Sequence, residues 1–244
     1  MKQLVIGSLF LFVLTAKLNA DFILIGADEG SFPSSLLPNA VQGYDFVPQK
    51  DLSLSAIGFW DQGLDGLPRQ FEIGIWETAP QTLLASITID DQPVDDTLLA
   101  SGGAWRYQEL KHPIRLAAGT TYCLAFQVGP VSLDANDALL VDFDDIAPNS
   151  NIFIEDNQRF TLNTTSLVFP INSTPAGPGF RANVNGRFGL IGDVNCDGSI
   201  DLLDVQPFVD SLASGLYEIK ADINGDGEND LLDVAPFVDL VSDP

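Results

Sequence analysis

Short apolar runs alternate with clusters of Gly, Pro, Asn and Asp through residues 21–187. Apolar and polar residues also alternate with period two, most clearly at 71–75 and 122–126, as in strands with one buried face. This pattern predicts a mainly β region, an antiparallel β-sandwich of the jelly-roll type, with a loop at 170–179. The expected strands are 22–25, 44–47, 52–60, 70–77, 83–89, 105–110, 121–128, 139–143, 167–169 and 181–187.

The pattern changes at Asp193. The sequence DVNCDGSIDLLDVQPFVD starts there and returns 29 residues later, from Asp222, as DINGDGENDLLDVAPFVD. In each copy an Asp/Asn-rich stretch precedes an apolar run, which predicts a loop followed by a helix; no good helix is expected before either loop. Pro207 and Pro236 lie inside the expected helices. Because an interior proline costs about 3 kcal/mol, these helices should be short, kinked or late in starting.

The spacing of oxygen-bearing residues in each copy is that of an EF-hand calcium loop. Counted from the first Asp, such residues occupy positions 1, 3, 5, 9 and 12, Gly occupies position 6, and position 7 offers its backbone carbonyl. One such run could be a solvated turn, but two copies that match at every ligand position favour two bound Ca²⁺ ions. The predicted ligands are Asp193, Asn195, Asp197, Ser199, Asp201 and Asp204 in the first loop, and Asp222, Asn224, Asp226, Glu228, Asp230 and Asp233 in the second.

Negative charge is concentrated in the same segment. Of a net charge of −23, the last 52 residues carry 13 acidic residues and a single base, Lys220. Such a chain repels nucleic acid phosphates and anionic lipid, so we expect neither as a partner. Clustered carboxylates instead attract a hard cation such as Ca²⁺.

The first residues have the pattern of an export signal. Lys2, an apolar run at 4–15 and a small-residue site at 18–20 predict a signal peptide of residues 1–20. A membrane anchor is the alternative, but the run is short for a span of about 20 residues. We expect a secreted or cell-surface protein without a later membrane span, divided into a β-sandwich at 21–187, a linker at 188–191 and a calcium module at 192–244.

Residue types that support catalysis are scarce. His112 is the one histidine, expected in a turn, so we predict no catalytic residues and a non-enzymatic protein. A carboxylate pair of the glycosidase type stays an alternative, since such pairs assemble from distant strands. The three tryptophans at 60, 76 and 105 could stack on sugar rings, but we expect them to pack in the core. Cys123 is expected to be a buried hydrophobe and Cys196 a loop residue.

The two parts of the chain each resemble a known family. The motifs GFW at 58–60, GIW at 74–76, LLA at 83–85 and LAAGTTY at 116–122 resemble DUF4082-like domains, exported β-sandwiches of unassigned function, over about residues 41–187. That resemblance implies no active site. The loop followed by one helix, duplicated and with Asp at position 12, resembles a type I dockerin module over about 192–244.

The dockerin resemblance implies a cohesin-like partner, because that family tethers exported proteins to a scaffold or surface. The family often carries Ser-Thr at positions 10 and 11 and a basic residue at 17 or 18, whereas these positions are apolar or acidic here. We expect most apolar residues of the helices, such as Leu203, Val205 and Phe208, to pack inside the module with their counterparts. The positions that would contact a partner are Leu202, Leu203, Val209, Asp210, Leu231, Leu232, Val238 and Asp239.

These observations predict an exported, non-catalytic protein in which a calcium-binding, dockerin-like module tethers a β-sandwich to a cohesin-type or cell-surface partner. One alternative is a carbohydrate-active protein that binds or cleaves a polysaccharide. Another is a purely structural surface protein in which the repeat serves folding alone.

We predict that calcium removal loosens the segment 193–244. Two like charges about 4 Å apart cost on the order of 4 kcal/mol at an effective dielectric near 20, whereas Ca²⁺ at 100 times its Kd adds about 2.7 kcal/mol per site. Circular dichroism and calorimetry with and without EGTA measure the change. Unchanged helicity and melting on chelation would contradict the prediction.

Overall fold

The computed structural model describes residues 22–23, 38–62, 64–90, 103–130, 140–141, 150–175, 180–181 and 183–242. These residues form twelve strands and two α-helices. The strands are β1 Phe22–Ile23, β2 Ala40–Pro48, β3 Leu52–Gln62, β4 Phe71–Glu77, β5 Thr82–Ile89, β6 Gly103–Leu116, β7 Tyr122–Val128, β8 Leu140–Val141, β9 Ile152–Leu162, β10 Asn172–Pro175, β11 Phe180–Arg181 and β12 Val184–Leu190. The helices are α1 Val205–Ser214 and α2 Val234–Ser242. The predicted signal peptide and the ends of the predicted strand 139–143 lie outside the described residues.

All described strand pairs are antiparallel. One sheet has the order β1-β12-β3-β6, a second has the order β10-β9-β2-β7-β4-β5, and β11 pairs with β8. The mainly β character and the antiparallel pairing predicted from the alternation are therefore confirmed. None of the described helices is long and apolar enough to cross a bilayer.

Aromatic side chains from both large sheets form one core. Phe59 of β3 stacks on Phe71 of β4 with ring centroids 4.0 Å apart, and Phe46 of β2 meets Phe188 of β12 edge to face at 5.7 Å. All four of these side chains are fully buried. Because these contacts join strands of different sheets, the two sheets pack against each other through their inner faces.

The outer face of the six-stranded sheet is also covered. Leu167 and Phe169 pack there on Trp76 and Cys123, and the rings of Trp76 and Phe169 lie 6.2 Å apart. The predicted strand 167–169 is wrong, because this segment contributes side-chain contacts to the sheet without joining its hydrogen-bond ladder. Cys123 is a free, buried thiol, as expected for a small buried hydrophobe.

Three further predictions about strands are corrected. Strand β9, Ile152–Leu162, was not expected, because the polar run 155–158 is typical of a turn although pairing with β2 holds it extended. Part of the expected loop 170–179 is the edge strand β10, whose exposed side chains carry no apolar signal. His112 is exposed within β6, where residues 110–113 bulge opposite Ser55.

The β region runs directly into the C-terminal module. Residues 188–190 of the predicted linker 188–191 continue strand β12, and Ile191 is buried. Ile200 of the first acidic loop joins the core of the two sheets, with Leu240 and Val241 packed beside it. The division into a sandwich domain and a calcium module stays a prediction, but the two parts share a packed boundary.

Both helices start late, as the prolines predict. A short 3-10 turn, Leu202–Asp204 or Leu231–Asp233, precedes each α-helix. Pro207 and Pro236 are each the third residue of their α-helix. The N–H groups of a first turn have no partner within the helix, so a proline there removes no helical hydrogen bond.

Candidate metal centre

The two acidic loops, 193–204 and 222–233, have matching backbone shapes. Position 6 is glycine with φ of 91° in Gly198 and 90° in Gly227. Position 4 is also left-handed, with φ of 62° at Cys196 and 78° at Gly225. Before the first loop the chain is strand β12, and before the second it is a turn, so neither loop follows a helix. This confirms the prediction of a loop followed by a single helix in each copy.

The first carboxylate of each loop is buried and accepts backbone hydrogen bonds. The N–H groups of Asp197 and Gly198 each donate to Asp193 at 3.0 Å. In the second loop the N–H groups of Gly225 and Gly227 donate to Asp222 at 2.8 and 3.0 Å. These bonds wrap each loop around the carboxylate at position 1.

The last carboxylate of each loop closes it. Asp204 accepts the N–H of Asn195 on one oxygen and the N–H of Asp201 on the other, both at 2.9 Å. Asp233 accepts the equivalent N–H groups, those of Asn224 and Asp230, both at 3.0 Å. These bonds bring positions 3, 9 and 12 together in both copies. Asp204 and Asp233 are fully buried.

Positions 3 and 5 meet at the exposed side of the loop. The side-chain amide of Asn195 donates to Asp197 at 2.8 Å, and that of Asn224 donates to Asp226 at 3.0 Å. Position 9 is turned toward the helix, since the carboxylate of Asp201 accepts the N–H of Leu203 at 2.7 Å. Asp230 caps the second turn by the equivalent bond from Leu232, also at 2.7 Å. Both therefore act as helix N-caps.

Position 7 contributes through its backbone. The N–H of Ser199 donates to Asp197 and that of Glu228 donates to Asp226, both at 3.0 Å. Both side chains are exposed. The structure thus places Ser199 and Glu228 beside position 5, where a backbone carbonyl, and not the side chain, is the predicted ligand.

Each loop is predicted to combine aspartate carboxylates with an amide oxygen and a backbone carbonyl as ligands. Within the described residues, no three His, Cys, Asp or Glu side chains group closely enough to hold a metal ion. An EF-hand-type loop also uses an amide oxygen and a backbone carbonyl, here those of Asn195 and Ser199, which fall outside that set of side chains. The oxygen-only donors of the loops match the preference of Ca²⁺ for hard ligands.

Burial and the charge of Lys220 have the largest effects on the electrostatic environment of Asp193. Burial raises the pKa of Asp193, and the positive charge of Lys220 opposes that rise. Lys220 is itself buried, and its Nζ lies 3.3 Å from the sulfur of Cys196, a free thiol in the first loop. Asp193 therefore takes up a proton at a less acidic pH than an exposed aspartate does.

The interior of the module is small. Phe208 and Phe237, the same position in the two copies, stack with ring centroids 4.0 Å apart. Both are buried, but Leu203, Val205 and Val209 are exposed, as are their counterparts in the second copy. The expectation that most of these apolar residues pack inside the module is wrong, because one stacked pair of rings fills its centre.

An apolar face results, formed by both copies of the repeat. Its exposed side chains are Leu202, Val205 and Val209 of the first copy and Val234 and Val238 of the second, which border one groove, and Leu203, Leu231 and Leu232 are exposed in the same segments. The four leucines are 66–82% exposed. A groove of about 250 Å³ between the helices is lined by members of both copies. The predicted partner positions Asp210 and Asp239 are also exposed.

Aromatic residues that could bind sugars are placed elsewhere. Trp60 and Trp105 are fully buried and contact each other edge to face at 5.3 Å, and Trp76 is 3% exposed. The prediction that all three pack in the interior is confirmed. No tryptophan side chain is therefore open to stack on a sugar ring.

Two residues near the second loop carry no signal in the sequence. The hydroxyl of Tyr217 donates to Asp222 at 3.0 Å. Arg115, from the end of β6, donates to the backbone carbonyls of Asp222 and Ile223. Both residues were missed by the sequence-based prediction, since no local spacing connects Arg115 with a loop 107 residues away.

No family model matches the chain, and no curated protein matches it significantly.

We predict that Gly227→Ala destabilises the loop through its backbone alone. A Cβ at Gly227 would meet no atom within 4 Å, so the cost is that of a left-handed non-glycine residue, about 1–3 kcal/mol. Denaturant unfolding of the full chain in saturating Ca²⁺, in which the loop is expected to be ordered, measures the free energy of unfolding. Glu228→Ala is the control, since it truncates an exposed neighbour, and an equal effect of both variants would contradict the prediction.

Proposed function

We propose that this chain is an exported, non-catalytic protein whose C-terminal, dockerin-like module binds two calcium ions and tethers a jelly-roll-like β-sandwich to a protein partner outside the cell. The observation that carries the calcium proposal is the repeated closure of both loops by a buried Asp at position 12. The same two hydrogen bonds to the Asp at position 12 form in both copies, although the copies differ at neighbouring positions. This repetition supports a shared ligand requirement.

Calcium would relieve the charge that each loop concentrates. Four aspartates fall within twelve residues of each loop, and Asp193, Asp204, Asp222 and Asp233 are buried. Buried carboxylates are costly unless a charge or hydrogen bonds compensate them. The N–H groups described above compensate part of that cost, and a divalent cation would supply the opposite charge. The residues that would hold it are those at positions 1, 3, 5, 7, 9 and 12.

The tethering role rests on the apolar face. Soluble proteins rarely expose several large aliphatic side chains side by side, and such patches commonly mark interaction sites. The acidic charge of the segment, 13 acids against one base, would favour a partner surface that combines apolar and basic residues. Such a surface could belong to a cohesin-like domain or to another cell-surface protein.

Calcium stoichiometry tests the first half of the proposal. Isothermal titration should give two sites for the full chain and one site each for Asp193→Ala and Asp222→Ala, because each variant loses the buried carboxylate of one loop. Glu72→Ala, which removes an exposed acid from β4, should retain two sites. The absence of saturable binding in the unmodified chain would overturn the calcium proposal.

Partner capture tests the second half. The full chain should retain a protein from the native envelope in Ca²⁺, and Leu202→Ser with Val238→Ser should abolish that retention because both exposed side chains line the groove between the helices. Leu83→Ser is the matched control, since Leu83 is 48% exposed on β5. Retention that survives the paired change would contradict a role for the apolar face. An absence of any calcium-dependent partner would support the purely structural alternative.

A further inference from the structure

The side chain of Arg115 joins the β region to the second acidic loop. Its Nη1 donates a hydrogen bond to the carbonyl of Asp222, and its Nη2 donates to the carbonyl of Ile223 at 2.9 Å. Nη2 also lies 2.6 Å from a carboxylate oxygen of Asp51. The side chain of Arg115 is 23% exposed, so these contacts are partly shielded from water.

Asp51 anchors this arrangement in the β region. Its other carboxylate oxygen accepts the N–H of Ala118 at 2.8 Å, and its backbone carbonyl accepts the N–H of Ile191 at 3.1 Å. Asp51 therefore ties the chain after β6 to the entry of the module. Because it also neutralises the guanidinium, Arg115 adds little net positive charge beside the loop.

The two copies of the repeat differ where Arg115 approaches. Position 4 is Cys196 in the first loop and Gly225 in the second, although both backbones are left-handed. A Cβ at Gly225 would lie 3.3 Å from the guanidinium carbon of Arg115. The glycine in the second copy thus leaves room for the guanidinium group of Arg115. This is an observation, independent of the hydrogen bonds, that the second loop accommodates Arg115.

We infer that Arg115 is a positioning residue that couples calcium binding at the second loop to the docking of the module on the β region. By holding the carbonyls of Asp222 and Ile223, it sets the backbone from which the carboxylate at position 1 projects. Linkage is reciprocal, so calcium in this loop strengthens the contact of the module with the β region by the same factor. This inference rests on the calcium binding proposed above.

The test uses full chains that keep one calcium site each. In the Asp193→Ala background, which retains the second site, Arg115→Met should weaken calcium binding about tenfold or more, the size of one hydrogen bond to a charged group. In the Asp222→Ala background, which retains the first site, the same change should alter Kd by less than about twofold, because Arg115 touches only the second loop among the described contacts. Equal weakening of both sites, or of neither, would overturn the inference.

Two further variants separate the effect of charge from the effect of the hydrogen bonds of Arg115, and circular dichroism checks that each variant folds. Lys111→Met removes an exposed positive charge from the same strand and should leave both affinities unchanged. Arg115→Lys keeps the charge but loses the planar group that bonds two carbonyls and Asp51 together, so it should resemble Arg115→Met at the second site. Far-UV circular dichroism confirms folding of each variant, and the lysine variant remains usable should the methionine variant misfold.

Hydrogen exchange gives a readout outside the loop. Calcium should slow exchange of the Ala118 amide, which bonds to Asp51, in the unmodified chain and not in Arg115→Met. A purely local role of Arg115 would leave that amide insensitive to calcium in both proteins, which would overturn the coupling. If the unmodified chain binds two ions but Arg115→Met changes nothing, this inference fails while the proposed function stands. If it binds none, both fail.

Discussion

A buried carboxylate that accepts two backbone N–H groups closes each acidic loop, and the organisation of the C-terminal module depends on it. Asp204 and Asp233 hold positions 3 and 9 together while they end the 3-10 turn from which each α-helix continues. One side chain thus sets the shape of the loop and the start of the helix.

The same geometry leaves the module with little interior. Two short helices can bury one stacked pair, Phe208 on Phe237, and the remaining buried apolar residues of the module come from the loops and from the residues just before them. Ile200 completes the core of the neighbouring sheets. The module is therefore stabilised by its contact with the β region as well as by its own packing, while its helices keep an exposed apolar face.

The β region supplies that support because side-chain contacts hold both of its large sheets in place. Aromatic contacts such as Phe59 on Phe71 join their inner faces, and the segment with Phe169 covers the outer face of the larger sheet. Two buried carboxylates, Asp45 and Asp61, pair with Arg159 and Arg106 on their sheets. Breaking such a pair leaves an uncompensated buried charge, so these pairs favour one arrangement of the strands.

The sequence by itself determined most elements whose residues carry a periodic signal. Alternation located the strands around 71–77 and 121–128, and the repeat located both acidic loops, the late helices and the residues that close each loop. Strands β9 and β10 were not predicted. Their polar or exposed residues are held in strands by pairing with segments distant in sequence. Spacing along the sequence shows which residues share a loop or a face, but it does not show which distant residues the fold brings together.

Only the tertiary structure decided how the parts meet. It placed Arg115 against the second loop, buried the three tryptophans and left the leucines at positions 10 and 11 of each loop exposed. Composition cannot distinguish a leucine of the core from one of a docking surface, because both are apolar at helical spacing. The difference arises from the volume that two short helices can enclose, which follows from their packing.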